Sequence, residues 1–165
     1  MIIGPRRVAL IGAIVAVVLT IIFYPLLVET PFNPDDVTIQ LSKVTLASGS
    51  EGKQKLDLGI SLNVTNASDY TLTTSKIEYE LSADGAPVGT DIISYEDIPP
   101  NGRPAFFPKK SVTIPDTFTL EYSDKRADLF NKILNGSGDI TWKITGSATI
   151  ESGTSQKEKQ FSSEL

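Results

Sequence analysis

Neither cysteine nor histidine occurs among the 165 residues. Without thiols the chain forms no disulfide and offers no thiolate nucleophile, and the ligands on which most structural zinc sites are built are missing. Without imidazole it has no side chain whose ordinary pKa lies near neutrality, which removes the commonest general base. There is also no G-x-S-x-G motif and no glycine-rich phosphate loop. The calcium loop D-x-[DN]-x-[DN]-G is absent, so the acidic pairs Asp35-Asp36 and Glu96-Asp97 read as solvated surface. An enzyme is therefore not expected, and neither a cofactor nor a metal is called for.

Charge is missing from one whole stretch. Val8 to Val28 reads VALIGAIVAVVLTIIFYPLLV, 21 residues without a charged side chain. As a helix this run extends about 31 Å, the thickness of a bilayer's hydrocarbon layer. Arg6 and Arg7 flank it on the N-terminal side, while Glu29, Asp35 and Asp36 follow it. Cationic flanks stay in the cytoplasm. The expected arrangement is a cytoplasmic stub at 1–7, a transmembrane helix at 8–28, a linker at 29–36, and a domain outside the cell membrane at 37–165. A cleaved signal peptide would have a shorter apolar region ending in small residues. Here the run ends Tyr24-Pro25-Leu26-Leu27-Val28, so the anchor is expected to remain.

All 20 acidic residues and 13 of the 15 basic ones follow Val28, an excess of seven acids. A domain so charged repels nucleic acid and anionic headgroups, and neither is expected as its partner. The expected contacts are the membrane through residues 8–28 and other membrane or envelope proteins.

The pattern after the linker is that of short strands. Leu56, Leu58, Ile60, Leu62 and Val64 alternate with polar or small residues over ten positions. Ile140, Trp142, Ile144, Ala148 and Ile150 alternate in the same way, broken by Gly146, where a bulge or the close approach of another backbone is expected. Between them lie Ile77–Leu81, Ile92–Tyr95 and Val112–Ile114, divided by turn signals at Asp84-Gly85, Pro99–Gly102 and Pro115-Asp116. Such spacing predicts a mainly β, antiparallel sandwich. Leu129, Phe130, Ile133 and Leu134 have the spacing of a helix face and predict one short helix over Asp124–Leu134, capped by Ser123 or Asp124 and ended by Asn135-Gly136.

In this order the chain resembles the water-stress and hypersensitive-response (WHy) domain, the folded type of late embryogenesis abundant (LEA) protein. The likeness is carried by Leu58–Asn66, by Ile77–Leu81 with Gly85 and Val88-Gly89, by Ile98–Gly102 and by Ile140–Gly146. The resemblance covers residues 37–165. It implies an immunoglobulin or fibronectin III-like sandwich of about seven strands, a role in protection against desiccation, cold or osmotic stress, and no catalytic residues. Where that family often has Asn-Pro this chain has Asn66-Ala67.

Three N-x-[ST] sequons place possible glycans on Asn63, Asn66 and Asn135. Asn63 falls on the polar face of its strand, and the other two fall in turns. Trp142, Phe118, Phe130 and most aromatics read as core. Phe106-Phe107 differs, because neighbours on a strand face opposite ways, so one ring is expected outside. With Lys109 and Lys110 beside it, this pair is the candidate contact surface. An alternative makes the chain an accessory subunit of a larger membrane complex, with Gly12-Ala13 and Ala16 allowing close helix contact.

Overall fold

The alternation of Leu56 to Val64 is realised as the central strand of a three-stranded sheet in the computed structural model, which describes residues 5–27, 32–47, 54–136 and 139–165. The first four residues, residues 28–31 of the expected anchor and linker, and Ser137 of the third sequon lie outside the described residues. The chain divides into two compact units, one holding the helix α1 (Pro5–Leu27) and the other beginning at Phe32.

The second unit has eight strands: β1 (Val37–Leu46), β2 (Lys55–Asn66), β3 (Leu72–Ala83), β4 (Ala86–Ser94), β5 (Ala105–Phe106), β6 (Lys110–Glu121), β7 (Trp142–Ser152) and β8 (Ser155–Glu164). They form two antiparallel sheets, β1-β2-β6 and β4-β3-β7-β8, with β5 paired to the start of β3. The sandwich core is what the alternation predicts. Leu58, Ile60, Leu62 and Val64 of β2 are buried with Ile77, Tyr79 and Leu81 of β3 and Ile144, Ala148 and Ile150 of β7. The strand beyond the expected seven is the two-residue β5, too short to leave a period in the sequence.

Among the described residues, a hydrogen bond links the two sheets at each open side. The Tyr79 hydroxyl of β3 donates to Asp116 Oδ2 of β6 at 2.5 Å, and the backbone N–H of Leu41, beside the bulge in β1, donates to Ser163 Oγ of β8 at 3.0 Å. Burial and the Asp116 carboxylate raise the Tyr79 phenol far above its ordinary range, so it stays a donor.

Three expectations are corrected. Pro115-Asp116 is not a turn: both residues lie inside β6, with Pro115 opposite Ser61. The proline is tolerated because β6 is an edge strand, which need not donate on its outer side. The helix does not begin at Asp124. Asp124–Arg126 form a 3-10 turn, α2 is Ala127–Leu134, and neither Ser123 nor Asp124 makes a side-chain cap. The Ser123 hydroxyl is engaged by Arg126 Nε instead. Gly136 does end the helix in the left-handed region, at φ 58°. Finally, the folded domain starts before residue 37. Phe32 is 1% exposed within the core, its carbonyl accepts from Lys157 Nζ at 2.8 Å, and the Asn33 side chain caps the turn Pro34–Asp36. A run with two prolines reads as a linker in sequence, but a single aromatic ring finds room between the sheets.

The side chains described in α1 are those of residues 9–24; all are exposed, and none is charged. Among the described residues no helix is long and apolar enough to cross a membrane.

Gly146 meets its expectation. It pairs with Tyr79, and a Cβ added to it would lie 2.1 Å from the Glu78 carbonyl oxygen. Gly146→Ala must push β3 and β7 apart, at a cost of about 1–3 kcal/mol. Urea denaturation of the two proteins checks this, and equal midpoints would show that the sheet accommodates the methyl group.

Candidate functional site

The sequence-selected residues converge on one end of the sandwich because β2 terminates there in Asn66, whose side chain is fully buried. Asn66 Nδ2 donates to the carbonyls of Tyr70 at 2.7 Å and Phe106 at 2.8 Å. Its Oδ1 accepts from the Ser68 N–H at 2.9 Å and from Ser68 Oγ at 2.7 Å. A carboxamide has two donors and two acceptor sites, so every one is used. One side chain thereby fixes the β2–β3 loop and β5. The neighbouring Ala67 N–H donates to the Asp36 carbonyl at 2.8 Å, which adds the segment where the domain begins.

Expected as a turn residue open to glycosylation, Asn66 is instead unavailable in the folded domain. A glycan on Nδ2 would displace a donor hydrogen and fill the space occupied by Tyr70 and Phe106. Asn63 lies half-exposed on β2 between Gln40 and Thr113, and Asn135 is exposed after α2.

β5 separates the two adjacent phenylalanines. Phe106 pairs with Leu72 and is buried, whereas Phe107 is 57% exposed. Lys109 takes the left-handed conformation, φ 57°, and the Lys110 N–H donates to the Phe107 carbonyl at 3.2 Å, closing the turn into β6. Lys109 Nζ donates to the Ala67 carbonyl at 2.5 Å and pairs with Asp69 at 3.2 Å. Lys110 is exposed at the start of β6. The four candidate residues thus separate: Phe107 and Lys110 face outward, Lys109 braces the neighbouring loop, and Phe106 is core. Tyr70, which sequence reasoning passed over, is 38% exposed in that loop and adds a second ring. Its signal would have been its place four residues after an asparagine that ends a strand.

The adjoining loop is held by charge. Arg103 Nη1 pairs with Glu151 Oε2 at 2.5 Å, both side chains being 11% exposed, and Arg103 Nε donates to the Ile98 carbonyl at 2.8 Å. Burial pushes the Glu151 carboxyl up, but hydrogen bonds from Gln156, Ser75 and Arg103, with the Arg103 charge, hold it below its ordinary value. Glu96 and Asp97 are exposed, and Asp35 pairs with Lys159 at 2.8 Å. Among the described residues no three acidic side chains converge as metal ligands.

The fold recurs in solved structures. The chain is similar to an Arabidopsis thaliana protein at a TM-score of 0.51 and 13% identity, over 77% of this chain and 79% of that one. It is also similar to a LEA protein (TM-score 0.44, 11% identity, 97% and 83% covered). An Archaeoglobus fulgidus protein matches at a TM-score of 0.46 and 18% identity, over 76% and 94%. No family model matches the sequence. No curated protein matches it either.

Asn66→Ala removes the side-chain donor of the buried Phe106 carbonyl and the acceptor of the buried Ser68 N–H, while the Tyr70 carbonyl keeps Ser68 Oγ at 3.2 Å, and each such loss costs about 1–3 kcal/mol. Denaturant midpoints should show Asn66→Ala and Asn66→Asp strongly destabilised, while Phe107→Ala stays within about 0.5 kcal/mol of the parent. An unaffected Asn66→Ala chain would refute the structural role.

Glu151 gives a pH dependence. Its folded pKa is depressed, so its contribution is present above the unfolded value, about 4.3, and is lost as pH falls through the folded value. Thermal midpoints should decline in acid below about pH 4.3, and less steeply in Glu151→Gln. Identical acid slopes would exclude this carboxylate as the cause.

Proposed function

We propose that this chain is a membrane-anchored, non-enzymatic module whose LEA-like sandwich lies outside the cytoplasm and protects the cell envelope under desiccation, cold or osmotic stress by surface contact. The observation that carries the anchor is the uncharged run Val8–Val28. Its described side chains, from Ala9 to Tyr24, are exposed around α1 and include Leu10, Ile14, Val18, Ile21 and Phe23. A helix apolar on all sides, with no charged face for water, belongs in a protein interior or a bilayer. Arg6 and Arg7 supply the orientation.

The protective role is supported by the residues that resemble the WHy domain. Leu58–Asn66 lie in β2, Ile77–Leu81 in β3, and Trp142–Gly146 in β7. These blocks include the strands at the centre of each sheet, the Asn66 side chain and the Gly146 crossing.

The accessory-subunit reading is the alternative. It is favoured by the small residues Gly12, Ala13 and Ala16 within the uncharged run, which allow close helix contact.

Membranes from cells expressing the full chain should retain it through alkaline carbonate washing, with the sandwich digested by protease added from outside. A carbonate-soluble chain would refute the anchor. Loss of the gene should lower survival of drying, cold or osmotic shock; unchanged survival would sink the protective role. After gentle extraction, native electrophoresis should show the chain near its own 17.8 kDa plus bound detergent, whereas a discrete large assembly would favour the subunit.

A further inference from the structure

We infer that the Asn66 end of the sandwich rests on the surface of a zwitterionic lipid bilayer, with Tyr70 and Phe107 at headgroup level. This rests on the membrane anchoring proposed above and adds a lipid-contacting surface to it.

The first observation is one of place. Val37 pairs with Asn66, the Ala67 N–H meets the Asp36 carbonyl, and Lys109 reaches both Ala67 and Asp69. The start of the domain, the loop carrying Tyr70 and the turn carrying Phe107 therefore share one end. The second is one of sequence. Phe32 is buried in the core, and three residues, Glu29, Thr30 and Pro31, lie between it and Val28, the last residue of the uncharged run.

The third observation is chemical. The two rings, 38% and 57% exposed, stand on a loop and a turn to which Asn66 and Lys109 are hydrogen-bonded. Tyrosine, an apolar ring with a polar tip, concentrates at membrane interfaces, and an exposed phenylalanine beside it adds apolar surface for the acyl boundary. Beside them Lys109 faces Asp69 across 3.2 Å, and Lys110 is exposed at the start of β6. With an excess of seven acids after Val28, the domain would be repelled by an anionic surface, so a zwitterionic one fits.

Trp142, the chain's single tryptophan, supplies an internal reference. It pairs with Ala83, while Leu72 at the other end of β3 pairs with Phe106. The 12 residues of β3 place these ends about 36 Å apart.

The test uses the full chain in phosphatidylcholine nanodiscs and in discs containing anionic phosphatidylserine, each with and without lipid brominated near the headgroup. Trp142 emission should be unchanged by bromine, and the added emission of Phe107→Trp should be quenched and blue-shifted. If the added emission is unquenched in discs that hold the chain, the lipid contact is overturned and the anchor stands. Quenching seen only in anionic discs overturns the zwitterionic assignment. A chain that never enters the discs overturns the anchor and the contact together.

Discussion

The carboxamide of Asn66 is the interaction on which one end of this sandwich depends. It closes β2, the strand whose apolar side chains fill the centre of the three-stranded sheet, and it spends all four of its hydrogen-bonding positions on Ser68, Tyr70 and Phe106. Asp would lack the two donors, and Gln would carry one methylene too many for the same geometry. Because the group is fully buried, a partner lost from it is not readily replaced by water. Its position also explains why the exposed rings of Tyr70 and Phe107 are displayed from fixed backbone.

The rest of the domain is arranged around the open margins of its sheets. Tyr79 and Asp116 tie one side, and Leu41 and Ser163 tie the other. The exposed edges carry features that discourage pairing with another chain: Pro115 in β6, and Lys157, Glu158 and Lys159 in β8. Two of those lysines have a second role. Lys157 reaches the carbonyl of Phe32, lying 5.1 Å from its ring, and Lys159 pairs with Asp35, so the edge strand also holds the beginning of the domain. What looks like a solvated charge run in sequence is partly a clasp.

Much of this was legible beforehand, for reasons that are local. β2 and β7 announce themselves because the side-chain period of a strand is two and one face is apolar. The hairpin at Asp84-Gly85 needs two residues with positive φ, and these are residue types that accept it, at 50° and 78°. Gly146 signals a bulge or a close approach of another backbone because glycine on an apolar face has no packing value of its own, and the close approach is what occurs. The expectation that one of Phe106 and Phe107 is exposed is met, but because β5 ends at Phe106 and Phe107 lies in the turn into β6. Illegible were the features that depend on partners distant in sequence. Asn66 looks like any turn asparagine until Phe106, 40 residues on, supplies a carbonyl. Pro115 looks like a breaker until β6 proves to be an edge, and Phe32 looks like linker until β8 closes over it.

The sequence alone therefore determined the uncharged N-terminal run, the β class, the helix face, the main turns and the lack of the usual catalytic side chains, because periodicity, charge and composition are properties of neighbouring residues. Tertiary structure alone decided which strands pair, where the domain starts, and which asparagine is structural. It also decided which of the selected aromatics and lysines face outward. Those outcomes depend on hydrogen bonds and burial between segments tens of residues apart, and no local pattern encodes them.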